Sequence, residues 1–264
     1  SVSRSASAEL ATALDSDKTA EMIRNCCNGM GEFVFVLTGI DSNKMDDVWD
    51  KVTAADVALR LFQPPEWVSV RDDMFLMKTG NCPIFKEVMS AVRWPEVSKE
   101  FAGKDSTGPK ADFLSYLLLF HPKSAAKMCL SIDPEQIARS LVSSWDLGAA
   151  ARILKLLRLI DKGKARSIFA AMRDYRSEAA ENIESGTIGF PAFLKALDDV
   201  SPELSKDFLQ EIDEERLADT ISRFPYALET GKLLLLMASV DREKALTLCN
   251  CLKSRIQAAD HPPG

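Results

Sequence analysis

HPKSAAKMCLSIDPEQIARSLVSSWDLGAAARILKLLRLI, residues 121–160, and DKGKARSIFAAMRDYRSEAAENIESGTIGFPAFLKALDDV, residues 161–200, align over forty residues without a gap. Met128 falls on Ile168, Ile132 on Met172, Leu154 on Leu194 and Leu157 on Leu197. The register extends in both directions. Val48, Val88, Met128, Ile168, Phe208 and Leu248 form one column, and Val52, Val92, Ile132, Met172, Ile212 and Leu252 a second. Val34, Met74, Leu114, Leu154, Leu194 and Leu234 form a third, and Leu37, Met77, Leu117, Leu157, Leu197 and Met237 a fourth. With 46% of the chain apolar, one such column arises by chance roughly once in a hundred trials. Four in a common register establish a repeat, and a period of this size is the mark of a helical solenoid.

Each row opens on Asp41, Asn81, His121, Asp161, Ser201 or Asp241. Five of these six are residue types that accept a hydrogen bond from the first unpaired N–H groups of a helix. Helical spacing of the apolar columns predicts a first helix of about three turns. A second helix follows at Val57, Val97, Ile137 and Leu217, then Leu61, Phe101, Leu141 and Ile221. Breakers come next, at Pro64-Pro65, Gly108-Pro109, Gly148, Gly186 to Pro191 and Pro225 to Gly231, because proline lacks an N–H and glycine has excess backbone freedom. A third helix closes the row, as in Phe113–Phe120, Arg152–Ile160, Phe193–Val200 and Lys232–Val240. Two rows depart from this plan. Ser177 and Glu181 interrupt the second-helix column, which predicts a shifted or more exposed helix there. Asp73 and Gly80 stand where other rows are apolar, which predicts a displaced third helix.

This layout resembles the armadillo and HEAT superfamily of α-solenoids from Asp41 to about Arg255. Flagellar switch proteins and magnesium-channel gating domains share a similar plan, so only the architecture and a tendency to bind partners are carried over. The resemblance implies an all-α, right-handed α-solenoid of about six three-helix repeats of ~40 residues. Residues 1–40 are read as an N-terminal capping half-repeat with a flexible start. The repeats occupy 41–255 as one elongated domain, and 256–264 are read as a disordered tail. Both ends read as cut from a longer chain.

Composition narrows the function. The net charge of −6 disfavours generic nucleic-acid binding, which needs a basic excess. No apolar run approaches the roughly twenty residues that span a bilayer, so no membrane insertion is expected. Six cysteines lack a disulfide-framework spacing, in keeping with reduced thiols and a cytoplasmic location, or the host cytosol for a secreted effector. Cys129 and Cys249 share a column with Trp49, Met89, Phe169 and Leu209 and read as small buried hydrophobes.

Catalytic chemistry finds little to stand on. Of two histidines, His121 sits in a cap column before Pro122 and His261 lies in the tail. Gly29-Met30-Gly31 lacks the rest of a phosphate loop, and Cys249-x-Cys251 lacks partners for zinc. Asp46-Asp47, Asp198-Asp199 and Asp213-Glu214-Glu215 read as solvated helix ends. No cofactor is expected. The chain is read as a monomeric interaction scaffold or adaptor for a protein or peptide partner of acidic character. The alternatives are a bacterial effector or enzyme built from dispersed acids, or an anionic-ligand binder. Candidate contacts are the basic strip Arg152, Lys155, Arg158, Lys162, Lys164 and Arg166, whose guanidinium forks suit carboxylates, and the junction tryptophans Trp67, Trp94 and Trp145.

Overall fold

The computed structural model describes residues 15–25, 30–31, 34–36, 42–62, 66–103, 106–186, 188–223 and 229–260. Asp41, Leu37, Cys26, Cys27, Pro64, Pro65, Pro225 and His261 lie outside them, as do 1–14 of the expected flexible start and 261–264 of the expected tail. Among the described residues there are seventeen α-helices, one short 3-10 turn and no strand, so the chain is all-α. It divides into two compact units, Ser1–Val97 and Ser98–Gly264. The rows expected between 41 and 255 are therefore distributed over two units rather than one.

The first unit holds α1 (Ser16–Asn25), α2 (Ser42–Trp49), α3 (Ala54–Leu61), α4 (Trp67–Thr79) and α5 (Phe85–Ala91); the division falls within α6 (Trp94–Phe101). Helix α1 packs against α2 and α3, and α3 against α5. Helix α4 spans the third-helix offsets of its row, and Asp73, which interrupts the apolar column, is buried. The Asp73 carboxylate accepts the Gly31 N–H at 2.9 Å, which offsets the cost of burying it. Asn81 is not an N-cap. It has φ of 52°, and it ends α4 in a Schellman motif: Cys82 N–H donates to Met77 O at 2.9 Å and Asn81 N–H to Lys78 O at 3.2 Å. Asparagine tolerates the left-handed conformation that this position requires.

The second unit holds α7 (Thr107–Phe120), α8 (Pro122–Ser131), α9 (Pro134–Val142), α10 (Leu147–Ile160), α11 (Lys162–Met172), α12 (Arg176–Glu184), α13 (Phe190–Asp198), α14 (Pro202–Glu211), α15 (Glu214–Arg223), α16 (Thr230–Val240) and α17 (Arg242–Asp260). Here the forty-residue rule holds in backbone detail. Helices α8, α11, α14 and α17 begin one residue after His121, Asp161, Ser201 and Asp241. Those four residues donate their N–H to Leu117, Leu157, Leu197 and Met237 at 2.8, 2.8, 2.8 and 2.6 Å. Asp161, Ser201 and Asp241 also cap the following helix, accepting from Lys164, Leu204 and Lys244 N–H.

Neighbouring rows meet through like elements. The third helices pack in the order α7, α10, α13, α16, the second helices α9, α12, α15 do the same, and α9, α12 and α15 pack against the next row's α11, α14 and α17. Leu114, Leu154 and Leu194, with Leu117, Leu157, Leu197 and Met237, are fully buried along the third helices. Side chains also reach back one row to satisfy C-terminal carbonyls. Ser140 donates to Gly103 O at 2.6 Å, Asn182 to Val142 O at 2.8 Å and Thr220 to Glu184 O. Lys164 donates to Ile132 O at 2.8 Å and Lys244 to Ile212 O at 2.6 Å.

The departures have local causes. Asp133 and Asp213 cap α9 and α15, but Arg173 stands at the equivalent position of the intervening row. There the chain continues as the 3-10 turn Arg173–Tyr175, and α12 buries Ala179, Ala180 and Ile183 in place of Ser177 and Glu181. The expected shift is therefore present. In the last row, Leu252 is only half-buried and Cys249 is exposed, correcting its reading as a core residue. Rows ahead of it cover this flank with the next third helix, as α10 covers α8 and α16 covers α14, and no helix does so for α17 among the described residues. Helix α17 runs to Asp260, five residues into the expected disordered tail, because nothing in Ile256–Asp260 breaks a helix before Pro262.

Gly148 and Gly189 mark the tightest approach between rows. Gly189 has φ of 80°, and a Cβ there would lie 2.2 Å from Gly148 N. Leu147 N–H donates to Ile188 O at 2.9 Å and Ile188 N–H to Trp145 O at 3.1 Å, clamping the two loops together. Gly189→Ala is expected to destabilise by about 2 kcal/mol or more in urea denaturation. Gly231→Ala, in α16 with nothing within 4 Å of the new methyl, is expected to leave stability unchanged or raise it by up to about 1 kcal/mol.

Candidate partner surface

The third helices of the second unit turn their remaining face to solvent, and α10 carries three cations and no acid. Arg152, Lys155 and Arg158 lie at helical spacing on one face, and all three are exposed. Arg152 pairs with Asp112 of α7 at 2.5 Å, a contact that contributes less than about 1 kcal/mol at this exposure. Arg158 donates to Asp199 O at 3.1 Å. Lys155 makes no side-chain hydrogen bond or ion pair among the described residues. On the adjoining α11, Lys162 and Arg166 are exposed, whereas Lys164 is committed to the Ile132 carbonyl. The basic strip is thus two exposed groups on neighbouring helices, and Lys164 is removed from it as a partner contact.

The tryptophans divide sharply. Trp67 and Trp94 are 3% and 5% exposed, which removes them as partner contacts. Both are the first residue of a helix, with the ring turned inward; Trp94 meets Phe62 edge-on at 5.9 Å. Trp145 is 64% exposed. It sits on the clamped loop ahead of α10, beside Ile188, itself 37% exposed. The hydrogen bond from Ile188 N–H to Trp145 O ties the backbone that carries this ring to the neighbouring loop. Sequence reasoning overlooked Leu119, Leu159 and Leu235, which are 73%, 74% and 76% exposed on α7, α10 and α16. The signal was available: Leu117–Phe120 and Leu156–Ile160 hold more apolar residues than one buried stripe can use.

Of the dispersed acids, Asp198, Asp199, Asp213 and Glu214 are occupied structurally. Lys195 bonds Asp199 at 2.7 Å, which raises the lysine above its ordinary range. Asp213 caps α15, and Glu214 pairs with Lys244 at 3.1 Å. A hollow of about 300 Å³ between α12 and α15 is lined by Glu184, Arg216, Asp219 and Arg223, whose charges pair with one another. Burial pushes the Cys82 and Cys129 thiols up to about 11, far from nucleophilic at neutral pH. No family model, no curated protein and no solved structure matches the chain.

Two measurements check this surface. Trp145→Phe is expected to remove most of the acrylamide-quenchable tryptophan fluorescence, since Trp49, Trp67 and Trp94 are buried. Iodoacetamide at mildly alkaline pH, followed by peptide mapping, is expected to label Cys249 well before Cys82 or Cys129. The thiolate is the reacting form, and burial withholds it until pH approaches the raised pKa.

Proposed function

We propose that the chain is an α-solenoid interaction scaffold of armadillo or HEAT type, with a protein partner seated over the N-terminal part of α10. Trp145 carries this reading. A tryptophan 64% exposed on a clamped loop is the residue type and setting of an interface anchor. Arg152 and Lys155, further along α10 on its exposed side, supply positive charge that favours an acidic partner segment. The stacked rows support it in a second way, because such units contact chiefly their neighbours and leave an extended surface available. No covalent chemistry is required of the site; recognition comes from shape, one aromatic anchor and a local field.

Replacing Trp145 by a photo-reactive phenylalanine analogue, with a control at the exposed Lys206 of α14, tests this in native lysate. Discrete protein adducts are expected from position 145 and not from 206, and Arg152→Glu with Lys155→Glu is expected to weaken them severalfold. Adducts that are absent from 145, or equal at the two positions, would refute the site.

A further inference from the structure

The opposite ends of the same third helices carry a different surface. Helix α7 passes into α8 through His121 alone, and α10 into α11 through Asp161 alone. Each connection is therefore a tight corner that must lie at the edge of its helical layer. Because α7 packs against α10 in the forty-residue register, the two corners are neighbours. The penultimate residue of each incoming helix is Leu119 or Leu159, 73% and 74% exposed, with Phe120 at 40% beside the first. At the next two corners the same position is Asp199 and Ser239, so the apolar tips are confined to this pair.

Cations are carried by the helices that meet at these corners. Lys123 and Lys127 on α8, Lys155 on α10, and Lys162 and Arg166 on α11 are exposed and have no side-chain hydrogen bond or ion pair among the described residues. Among other cations, Arg173, Arg176, Arg216 and Lys244 each face a carboxylate, and the exposed Lys86, Lys99, Lys206 and Lys253 do not among the described residues. Helices α8, α10 and α11 contain no Asp or Glu. Of the acids close by, Asp161 caps α11 and Asp199 is held by Lys195. In a chain of net charge −6, the helices that carry and follow the projecting leucines thus bring five unpaired cations and no acid of their own on α8, α10 and α11.

We propose that this double corner is a peripheral docking site for an anionic lipid bilayer. Projecting side chains at a helix turn suit a flat, deformable apolar layer. Leu119 and Leu159 enter between the head groups, and the ring of cations stays at their phosphate level. The free cations are mostly lysines, point charges that respond to a diffuse negative field, whereas the forked Arg152 and Arg158 are engaged within the protein. Each lysine near an anionic leaflet strengthens binding about fivefold. No described helix is long and apolar enough to cross a membrane, so the contact is superficial. The tips lie roughly 20 Å along α10 from Trp145, and Lys155 stands between the two sites.

Co-sedimentation with vesicles tests the proposal without reference to any protein partner. The chain is expected to bind vesicles of phosphatidylcholine mixed with phosphatidylserine, to ignore phosphatidylcholine alone, and to release in high salt. Lys123→Gln, Lys162→Gln and Arg166→Gln together are expected to lower partitioning about a hundredfold, and Leu119→Ser with Leu159→Ser severalfold, with helical circular dichroism unchanged. Leu119→Trp in a Trp145→Phe background is expected to blue-shift its emission on the mixed vesicles. No partitioning, equal binding to neutral vesicles, or indifference to both sets of variants overturns the proposal. So does tight, charge-dependent binding of a labelled polyglutamate peptide by a chain that ignores the mixed vesicles, which would assign the corner to an acidic protein ligand.

Discussion

Leu117, Leu157, Leu197 and Met237 cannot be buried by the helices that carry them. Each lies on a third helix whose apolar side is covered only when the neighbouring row stands beside it. At roughly 1.5–3 kcal/mol for each fully buried side chain of this size, no row of the second unit is stable alone. This mutual dependence sets the order α7, α10, α13, α16, and with it the surface that is left over. Whatever α10 presents to solvent is what the packing of its other sides did not consume.

The repeat was legible because it is a property of buried positions. All six residues of the first apolar column are at most 2% exposed, and burial is the pressure that writes a period into a chain. Elements stabilised by single polar contacts were harder to read. Asp73 broke the column yet is buried, because a hydrogen bond from Gly31, forty-two positions away, cannot be inferred locally. Asn81 occupied a cap column but serves the preceding helix, since asparagine suits both an N-cap and the left-handed end of a helix. The missing cap at Arg173 was legible only by its effect, a second helix moved along the chain.

The surface was less legible than the core. The position of Trp145, Trp67 and Trp94 at helix junctions is evident from nearby breakers, but the direction of each ring is decided by tertiary neighbours. Lys164 and Arg166 look alike in a list of cations. Only the cap at Asp161 places Lys164 against the carbonyl of Ile132 and leaves Arg166 in water. The exposed leucines were hidden by the success of the repeat itself, since an apolar residue in an amphipathic helix is assigned inward by default.

The backward-reaching donors give the second unit a polarity. Ser140, Asn182, Thr220, Lys164 and Lys244 all lie later in the chain than the carbonyls they satisfy. Loss of a late row strips its predecessor of these five bonds, whereas loss of an early row takes fewer from the later helix ends, those from Ser98 to Met128 O and from Arg158 to Asp199 O. Fraying therefore travels more easily from α17 toward α7 than in the opposite sense, and a chain emerging from synthesis acquires finished helix ends one row behind its growing tip.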